Sequence, residues 1–174
     1  MSRKLKNEEL KRLSKEEFAN SAKQSLVLVL DHVRSLHNVG SVFRTADAFL
    51  IEEIMLCGLT GTPPNKEIEK TALGATETVK WSHHQNTLDA IKILKNKGYQ
   101  IYSIEQAENS ISLNTFKSPE KIALIFGNEV YGVEQEVINA SDGVIEIPQM
   151  GTKHSFNISV SVGIVLWELM REKY

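Results

Sequence analysis

The chain has 174 residues, which is enough for one domain with a well-buried core. Its 41% hydrophobic and 24% charged residues are ordinary for a globular protein, so neither a disordered chain nor a membrane-spanning one is expected. The net charge of −2 neither favours nor excludes a nucleic-acid partner, because such binding depends on a local basic patch.

Residues 1–25 form a charged, helix-prone segment. Ser14 and Glu17 have the spacing of a capping box, in which each side chain accepts a hydrogen bond from the other residue's backbone N–H. We expect either a solvated helix that covers part of the core or an arm that faces RNA. The first residues are charged rather than apolar, so no signal peptide is expected.

Strands and helices alternate from Leu26 onward. The predicted strands are 26–30, 54–57, 77–81, 99–104, 122–126 and 144–147, and the predicted helices are 39–50, 87–97, 134–140 and 155–171. Repeated units of this kind predict an α/β domain over 26–174, with a mostly parallel sheet flanked by helices. Cys57 is the single cysteine, so no internal disulfide can form and a cytoplasmic location is expected.

Three polar loops lie where predicted strands lead into helices. They span 38–44, 126–133 and 147–159. Ligands of open α/β sheets bind at the carboxyl ends of the strands, so the three loops predict one composite site. The sequence lacks a phosphate-binding glycine loop of the common nucleotide-binding types. Its five histidines do not have zinc-ligand spacing, and no metal is expected.

The first of these loops contains Asn38 and Arg44. Asn38 lies where a helix N-cap would be, so capping is its simplest structural role. Arg44 lies in an apolar stretch, where an unpaired buried charge would be costly. One interpretation is therefore a salt bridge from Arg44 to Glu129 or Asp47, and the other is a guanidinium that holds an RNA phosphate.

The other two loops also allow a structural and a functional interpretation. Glu129 could be a favourable charge near a helix N-terminus, while Gly127 would let a ligand approach the backbone. Ser155 and Asn157 could cap the last helix, or their backbone donors could hold a polar ligand group. Trp81, His83, His84, Lys153 and His154 are candidates for RNA contacts or for ordinary surface positions.

Taken together, the three loops resemble the signature motifs of the SpoU/TrmH family of SPOUT methyltransferases. The resemblance rests on Asn38 and Arg44, on the run 127–132, and on the run 147–159, and it covers about residues 25–174. It implies a parallel α/β sheet whose C-terminal segment forms a deep trefoil knot, an arrangement that ordinary folding rules disfavour. It also implies a homodimer whose active site is shared between the subunits.

The resemblance implies methyl transfer from S-adenosylmethionine to a ribose 2′-hydroxyl of RNA. Family members bind the cofactor largely through backbone groups, which here correspond to Ile104, Gly127, Ile147, Ser155 and Phe156. Catalytic importance carries over to Arg44, supported by Asn38, Glu129, Ser155 and Asn157. The Ile104 match rests on strand position, and Phe156 stands where leucine is more usual.

The identity of the RNA is the least determined part of this prediction. The chain lacks the additional N-terminal domain of some relatives that modify rRNA and the C-terminal extension of relatives that modify the tRNA D-loop. We therefore expect tRNA rather than rRNA as the substrate. The alternative class is a non-catalytic RNA-binding protein on the same fold, because fold alone does not dictate function.

Overall fold

A computed structural model describes residues 2–173. Met1, in the predicted N-terminal segment, and Tyr174, at the end of the predicted domain, lie outside the described residues. Seven strands form one sheet in the order β3-β2-β1-β6-β4-β7-β5, and all of these neighbours pair in parallel. The prediction of a mostly parallel sheet is therefore confirmed. The strands are β1 (Gln24–Asp31), β2 (Ile51–Cys57), β3 (Trp81–His84), β4 (Gln100–Ile104), β5 (Ile111–Ser112), β6 (Ile122–Phe126) and β7 (Gly143–Glu146).

Helices cover both faces of this sheet. Those in the described part of the chain are α1 (Lys15–Asn20), α2 (Leu36–Ala48), α3 (Lys66–Ala72), α4 (Thr87–Asn96), α5 (Gln135–Ala140) and α6 (Ile158–Met170). Single 3₁₀ turns occur at Asn7–Glu9, Ala75–Glu77, Leu113–Thr115 and Arg171–Lys173. None of the helices in residues 2–173 is long and apolar enough to cross a membrane.

The two central strands, β1 and β6, are buried on both faces. Side chains alternate along β1, so Leu28 and Leu30 pack with α2, α3 and α6, whereas Val27 and Val29 pack with α4 and α5 on the other face. This double burial explains the uninterrupted apolar runs in the sequence. It also fixes the carboxyl ends of neighbouring strands at one edge of the sheet.

Several predicted boundaries are corrected by the structure. The strand predicted at 77–81 lies at Trp81–His84, and Glu77 belongs to a 3₁₀ turn. The helix predicted at 39–50 begins at Leu36. Its cap is Ser35, whose Oγ accepts a hydrogen bond from Asn38 N at 3.3 Å, so the prediction that Asn38 itself is the cap is wrong. The last helix begins at Ile158, with Asn157 as its N-cap.

The capping box predicted near the start of the chain is present. Glu17 N donates to Ser14 Oγ at 3.2 Å, and Ser14 N donates to Glu17 Oε2 at 2.7 Å. Within residues 2–23, the only α-helix is α1, and the only other helical element is the 3₁₀ turn at Asn7–Glu9. Phe18 is its one buried side chain in the described segment, and Lys23 Nζ lies 4.2 Å from the centre of the Phe18 ring. The segment therefore contacts the core through a single aromatic anchor.

Candidate active site

A cleft of about 660 Å³ opens at the carboxyl ends of β4, β6 and β7. This volume lies in the range typical of small-molecule sites. The cleft is lined by seven residues that the sequence predicted for the site: Ile104, Gly127, Glu129, Ile147, Ser155, Phe156 and Asn157. The three polar loops thus contribute unequally, since neither Asn38 nor Arg44 lines the cleft in the single chain.

The segment after β6 closes into a tight loop. Asn128 and Gly132 exchange two backbone hydrogen bonds of 2.9 Å, and Asn128 Oδ1 accepts further bonds from Val130 N and Tyr131 N. A Cβ on Gly127 would lie 2.1 Å from the carbonyl carbon of Gly132. Glycine at position 127 therefore permits the close approach that shapes this wall of the cleft.

Glu129 is held by three hydrogen-bond donors from the loop after β1 and the first turn of α2. Its Oε2 accepts from Arg34 N at 3.1 Å, and its Oε1 accepts from Ser35 N at 3.0 Å and from Asn38 Nδ2 at 3.1 Å. Partial burial raises the pKa of Glu129, but these hydrogen bonds lower it further than burial raises it, so the pKa lies below its usual value. Glu129 is therefore ionised at neutral pH and ties the second loop to the first.

Asn157 joins the third loop to the same network. Its Nδ2 donates to Asn38 Oδ1 at 3.1 Å, while its Oδ1 accepts from Ser159 N at 2.9 Å and so caps α6. Asn38 consequently bridges Asn157 and Glu129. One residue from each predicted loop takes part in this chain of hydrogen bonds, which gives the composite site a physical connection.

Arg44 lies on the exposed face of α2. In the part of the chain that the structure describes, it has no hydrogen bond or ion pair, and Asp47 instead accepts from Thr78 Oγ1 at 2.5 Å. The predicted salt bridge of Arg44 to Glu129 or Asp47 is therefore wrong. The physical reason is helical periodicity, because the core side of α2 is formed by Val39, Val42, Phe43 and Ala46.

The remaining predicted residues line the cleft from β4, β7 and the third loop. Ile104 is half-buried and pairs in the sheet with Phe126 and Ile145. Ser155 and Phe156 are exposed in the third loop, and 40% of the Phe156 surface is accessible. The mixture of apolar walls and accessible backbone polar groups suits a ligand with both an aromatic and a polar part.

Sequence reasoning missed two polar residues at the end of β4. Glu105 Oε2 accepts from Val133 N at 3.1 Å, and Gln106 Nε2 donates to the carbonyl oxygen of His154 at 2.5 Å. Both line the cleft and brace the second and third loops. Their position directly after the strand predicted at 99–104 was the available signal, because that strand ends at the same edge of the sheet.

The histidines and Lys153 have different surroundings. His154 lines the cleft and Lys153 is exposed beside it, whereas Trp81, His83 and His84 lie on the edge strand β3 and do not line the cleft. Within residues 2–173, no group of three or more histidine, cysteine, aspartate or glutamate side chains is arranged to hold a metal ion.

Comparison with known proteins identifies relatives over nearly the whole chain. The model of the SpoU rRNA methylase family matches residues 25–167. A protein of Borreliella burgdorferi described as an uncharacterized tRNA/rRNA methyltransferase is 35% identical over 151 residues. That alignment covers 85% of this chain and 64% of the relative, so the chain spans less than two thirds of the relative's length.

Two further relatives cover still more of this chain. A tRNA (guanosine(18)-2′-O)-methyltransferase of Thermus thermophilus is 28% identical over 95% of this chain and 84% of its own length. The crystal structure of an AdoMet-bound rRNA methyltransferase from Sinorhizobium meliloti superposes with a TM-score of 0.81 at 28% identity, over 94% of this chain and 62% of that one. Together with the match to the family model, these findings establish that the chain belongs to the SpoU rRNA methylase family.

Proposed function

We propose that the protein is an S-adenosylmethionine-dependent RNA methyltransferase that modifies a ribose 2′-hydroxyl. The observation that carries this proposal is the hydrogen-bonded chain Glu129–Asn38–Asn157, which joins the three family motifs at the rim of a cleft of about 660 Å³. A protein that only bound RNA would have no need to assemble these side chains around a cofactor-sized cleft. The AdoMet-bound relative from Sinorhizobium meliloti supports the choice of cofactor.

The cleft has the features that this cofactor requires. Ile104, Phe126 and Ile158 supply apolar walls for an adenine ring, and Gly127 allows close approach to the backbone. Ile147, Ser155 and Phe156 line the same cleft and would offer it backbone groups. If bound there, S-adenosylmethionine would supply a methyl group activated on its sulfonium, and S-adenosylhomocysteine would be the leaving group once the ribose oxygen takes the methyl group. The loops contribute alignment of donor and acceptor, which can lower a barrier by several kcal/mol.

Arg44 and Glu129 have different roles in this proposal. Arg44 remains charged, because a guanidinium does not give up its proton in a protein, and it holds the RNA phosphate beside the reacting ribose. Water then takes the proton of the 2′-hydroxyl. Glu129 does not act as the base, because its oxygens already accept three N–H hydrogen bonds. It positions Asn38 instead.

The active form in this proposal is a homodimer. Arg44 lies outside the cleft of its own chain, on a helix that packs against α6. α6 carries an apolar stripe at helical spacing, formed by Val160, Gly163, Ile164 and Trp167. Val160 is 49% exposed and Trp167 is 58% exposed, as expected for a surface that a second subunit covers. Association through this stripe would bring Arg44 of one subunit to the cleft of its partner.

Three finer features complete the proposal. The segment before β1 is an N-terminal helical extension to a methyltransferase domain that begins at Gln24, two residues before the boundary expected from the sequence. The C-terminal part of that domain is threaded as a trefoil knot, as the family implies. The location is the cytoplasm, which fits the buried, free thiol of Cys57. The chemistry of the site calls for no metal ion, because the methyl donor is already activated as a sulfonium.

The preferred substrate is tRNA. The support is the Thermus thermophilus tRNA methyltransferase, 84% of which aligns with this chain, whereas only 62% of the rRNA methyltransferase from Sinorhizobium meliloti does. A relative that acts on tRNA therefore needs little beyond the domain present here.

Two measurements test this function. Stabilisation in a thermal-shift titration by S-adenosylhomocysteine, but not by ATP or NAD, is expected because ligands that bind only the folded state raise its melting temperature. Incubation with tritiated S-adenosylmethionine and size-fractionated RNA from a strain deleted for the gene should then label tRNA. Label in rRNA would contradict the substrate, and cofactor binding with no label in any fraction would favour a non-catalytic RNA-binding protein.

A further inference from the structure

A second cluster of functional side chains surrounds Gly58, on the half of the sheet away from the cleft. His32 follows β1, Leu59 follows β2 and His83 lies near the end of β3. Leu59 N donates to His32 Nδ1 at 3.3 Å, and the His83 ring Nε2 lies 3.2 Å from the carbonyl oxygen of Gly58. Both imidazole rings therefore hydrogen-bond to the backbone of residues 58–59 at the carboxyl edge of β1, β2 and β3. His32, Leu59 and His83 are together called the histidine surface.

The two imidazole rings are held in defined orientations. The backbone of His32 has a φ of +54°, and a Cβ on Gly58 would lie 2.2 Å from Cε1 of the His32 ring. Only glycine at position 58 lets the ring pack so closely against the backbone. Because Nδ1 of His32 accepts a hydrogen bond and Nε2 of His83 donates one, a neutral His32 keeps an Nε2–H donor and a neutral His83 keeps an Nδ1 acceptor.

Arg34 extends this surface toward the reaction site. Its side chain is exposed and has no hydrogen-bond or ion-pair partner among residues 2–173, while its backbone N–H donates to Glu129. His32 is also tied to the site, because its carbonyl oxygen accepts from Asn128 Nδ2 at 2.8 Å. One short segment, 32–35, thus connects the histidine surface to the network of Glu129.

Leu59 gives this surface an apolar centre. It is 75% exposed, although it lies between the carboxyl ends of two buried strands. Flat imidazole rings, an exposed aliphatic side chain and an unpaired guanidinium are the groups on which unpaired RNA bases stack and phosphates bind. The positive charge of Arg34 and the direct continuity with the site both favour RNA as the occupant.

We propose that His32, Arg34, Leu59 and His83 form a docking surface for unpaired nucleotides that neighbour the methylated ribose. The inference rests on the proposed RNA methyltransferase function and deepens it. The imidazole rings of His32 and His83 and the side chain of Leu59 contact a base, and Arg34 binds a flanking phosphate. The surface thereby selects RNA in which the target ribose lies in an open loop rather than in a paired stem.

The test uses the full chain with two variants and a matched control. Arg34→Ala removes the cation but keeps the backbone N–H that Glu129 accepts, and Leu59→Glu places a negative charge on the surface. Leu73→Glu is the control, because Leu73 is 65% exposed but follows α3, toward the opposite edge of the sheet. The probes are a fluorescently end-labelled tRNA fraction, a hairpin with a seven-nucleotide loop, and a fully paired duplex of equal length.

Arg34→Ala and Leu59→Glu should each weaken binding of the tRNA fraction and of the hairpin at least ten-fold in fluorescence anisotropy. Leu73→Glu should bind like wild type, and all variants should bind S-adenosylhomocysteine with unchanged Kd. Unchanged RNA affinity in both variants, or an equal loss on the paired duplex, would overturn the proposal. If the wild-type protein transferred no methyl group, that result would contradict the proposed methyltransferase function but not the proposed docking surface. The measured RNA affinities of the variants test the docking surface separately.

Discussion

At the scale of single residues, Glu129 and Asn38 connect the three loops of the site. The oxygens of Glu129 accept from two backbone N–H groups and from Asn38, which in turn accepts from Asn157. Charged acceptors make stronger hydrogen bonds than neutral ones, so this carboxylate contributes to both geometry and stability.

Glu129→Gln should therefore reduce stability in a pH-dependent way. The amide N–H₂ group of glutamine would face one of the N–H donors that now hydrogen-bond to Glu129. The lost hydrogen bond should lower the free energy of unfolding by about 1 kcal/mol, or Tm by roughly 2–4 °C, at neutral pH. The pKa of Glu129 lies below its usual value of 4.5, so its contribution is complete above that pH and is lost as the pH falls through the lowered pKa. Thermal melts from pH 7 to pH 3 should show the two proteins converging. Glu120→Gln, an exposed carboxylate, is the control, and a constant gap would contradict this role.

Arg44→Ala should separate catalysis from folding. Because Arg44 is exposed, the substitution should change Tm only slightly, as is usual for surface positions. The Kd for S-adenosylhomocysteine should stay the same. Loss of a charge that stabilises the transition state typically costs about 100-fold or more in rate. Single-turnover methyl transfer measures this effect, with Lys92→Ala on α4 as the control. An undiminished rate in Arg44→Ala would remove Arg44 from the mechanism.

The sequence predicted which loops lie near one another better than it predicted the contacts between their residues. The sheet-edge argument correctly brought the second and third loops together, because it depends only on strands that end at one edge. The bonds of Asn38 to Glu129 and Asn157 span 91 and 119 residues, and no local pattern specifies them. The exposure of Arg44 could have been predicted, since Val39, Val42, Phe43 and Ala46 already define the buried face of its helix.

At the scale of elements, the loop after β6 depends on close backbone packing. A methyl group on Gly127 would meet the backbone of Gly132 and Val133, and a backbone cannot move aside as a flexible side chain can. The loop would have to open, and the wall of the cleft would shift with it.

Gly127→Ala should therefore weaken binding of S-adenosylhomocysteine by about ten-fold or more, as overpacking of a tight site typically costs 1–3 kcal/mol. Isothermal titration calorimetry measures the Kd. Gly151→Ala in the third loop is the matched control, because a Cβ there has no neighbour within 4 Å. Equal affinity of Gly127→Ala and wild type would show that the cofactor does not contact this loop.

Sequence patterns located the buried elements and missed the peripheral ones. The predictions for β1 and β6 agree with the structure to within two residues, because strands buried on both faces have continuous apolar runs. β3 was misplaced because it is an edge strand of sequence Trp-Ser-His-His that pairs only with β2 in the described sheet. α3 was missed because only Ile68 and Ala72 of its residues are buried.

At the scale of the whole molecule, the proposed homodimer associates through the exposed apolar stripe of α6. Trp167→Glu should convert a dimer into a monomer, because it places a charge in the middle of an apolar contact. Light scattering after size-exclusion chromatography measures the mass. Ile93→Glu is the control, since Ile93 is 37% exposed on α4, at the other face of the sheet. If Trp167→Glu remained a dimer, the proposed interface would be contradicted. If it became a monomer and lost methyl transfer, this result would support an active site shared between subunits.

The chemical position of the transferred methyl group measures the proposed activity most directly. The protein is incubated with tritiated S-adenosylmethionine and tRNA from a strain deleted for the gene, and the labelled RNA is digested to nucleosides for chromatography and mass spectrometry. Wild type should yield a single 2′-O-methylated nucleoside, and Arg44→Ala should lose the label. Label on a base, or no label despite measured binding of the cofactor, would contradict the proposed activity.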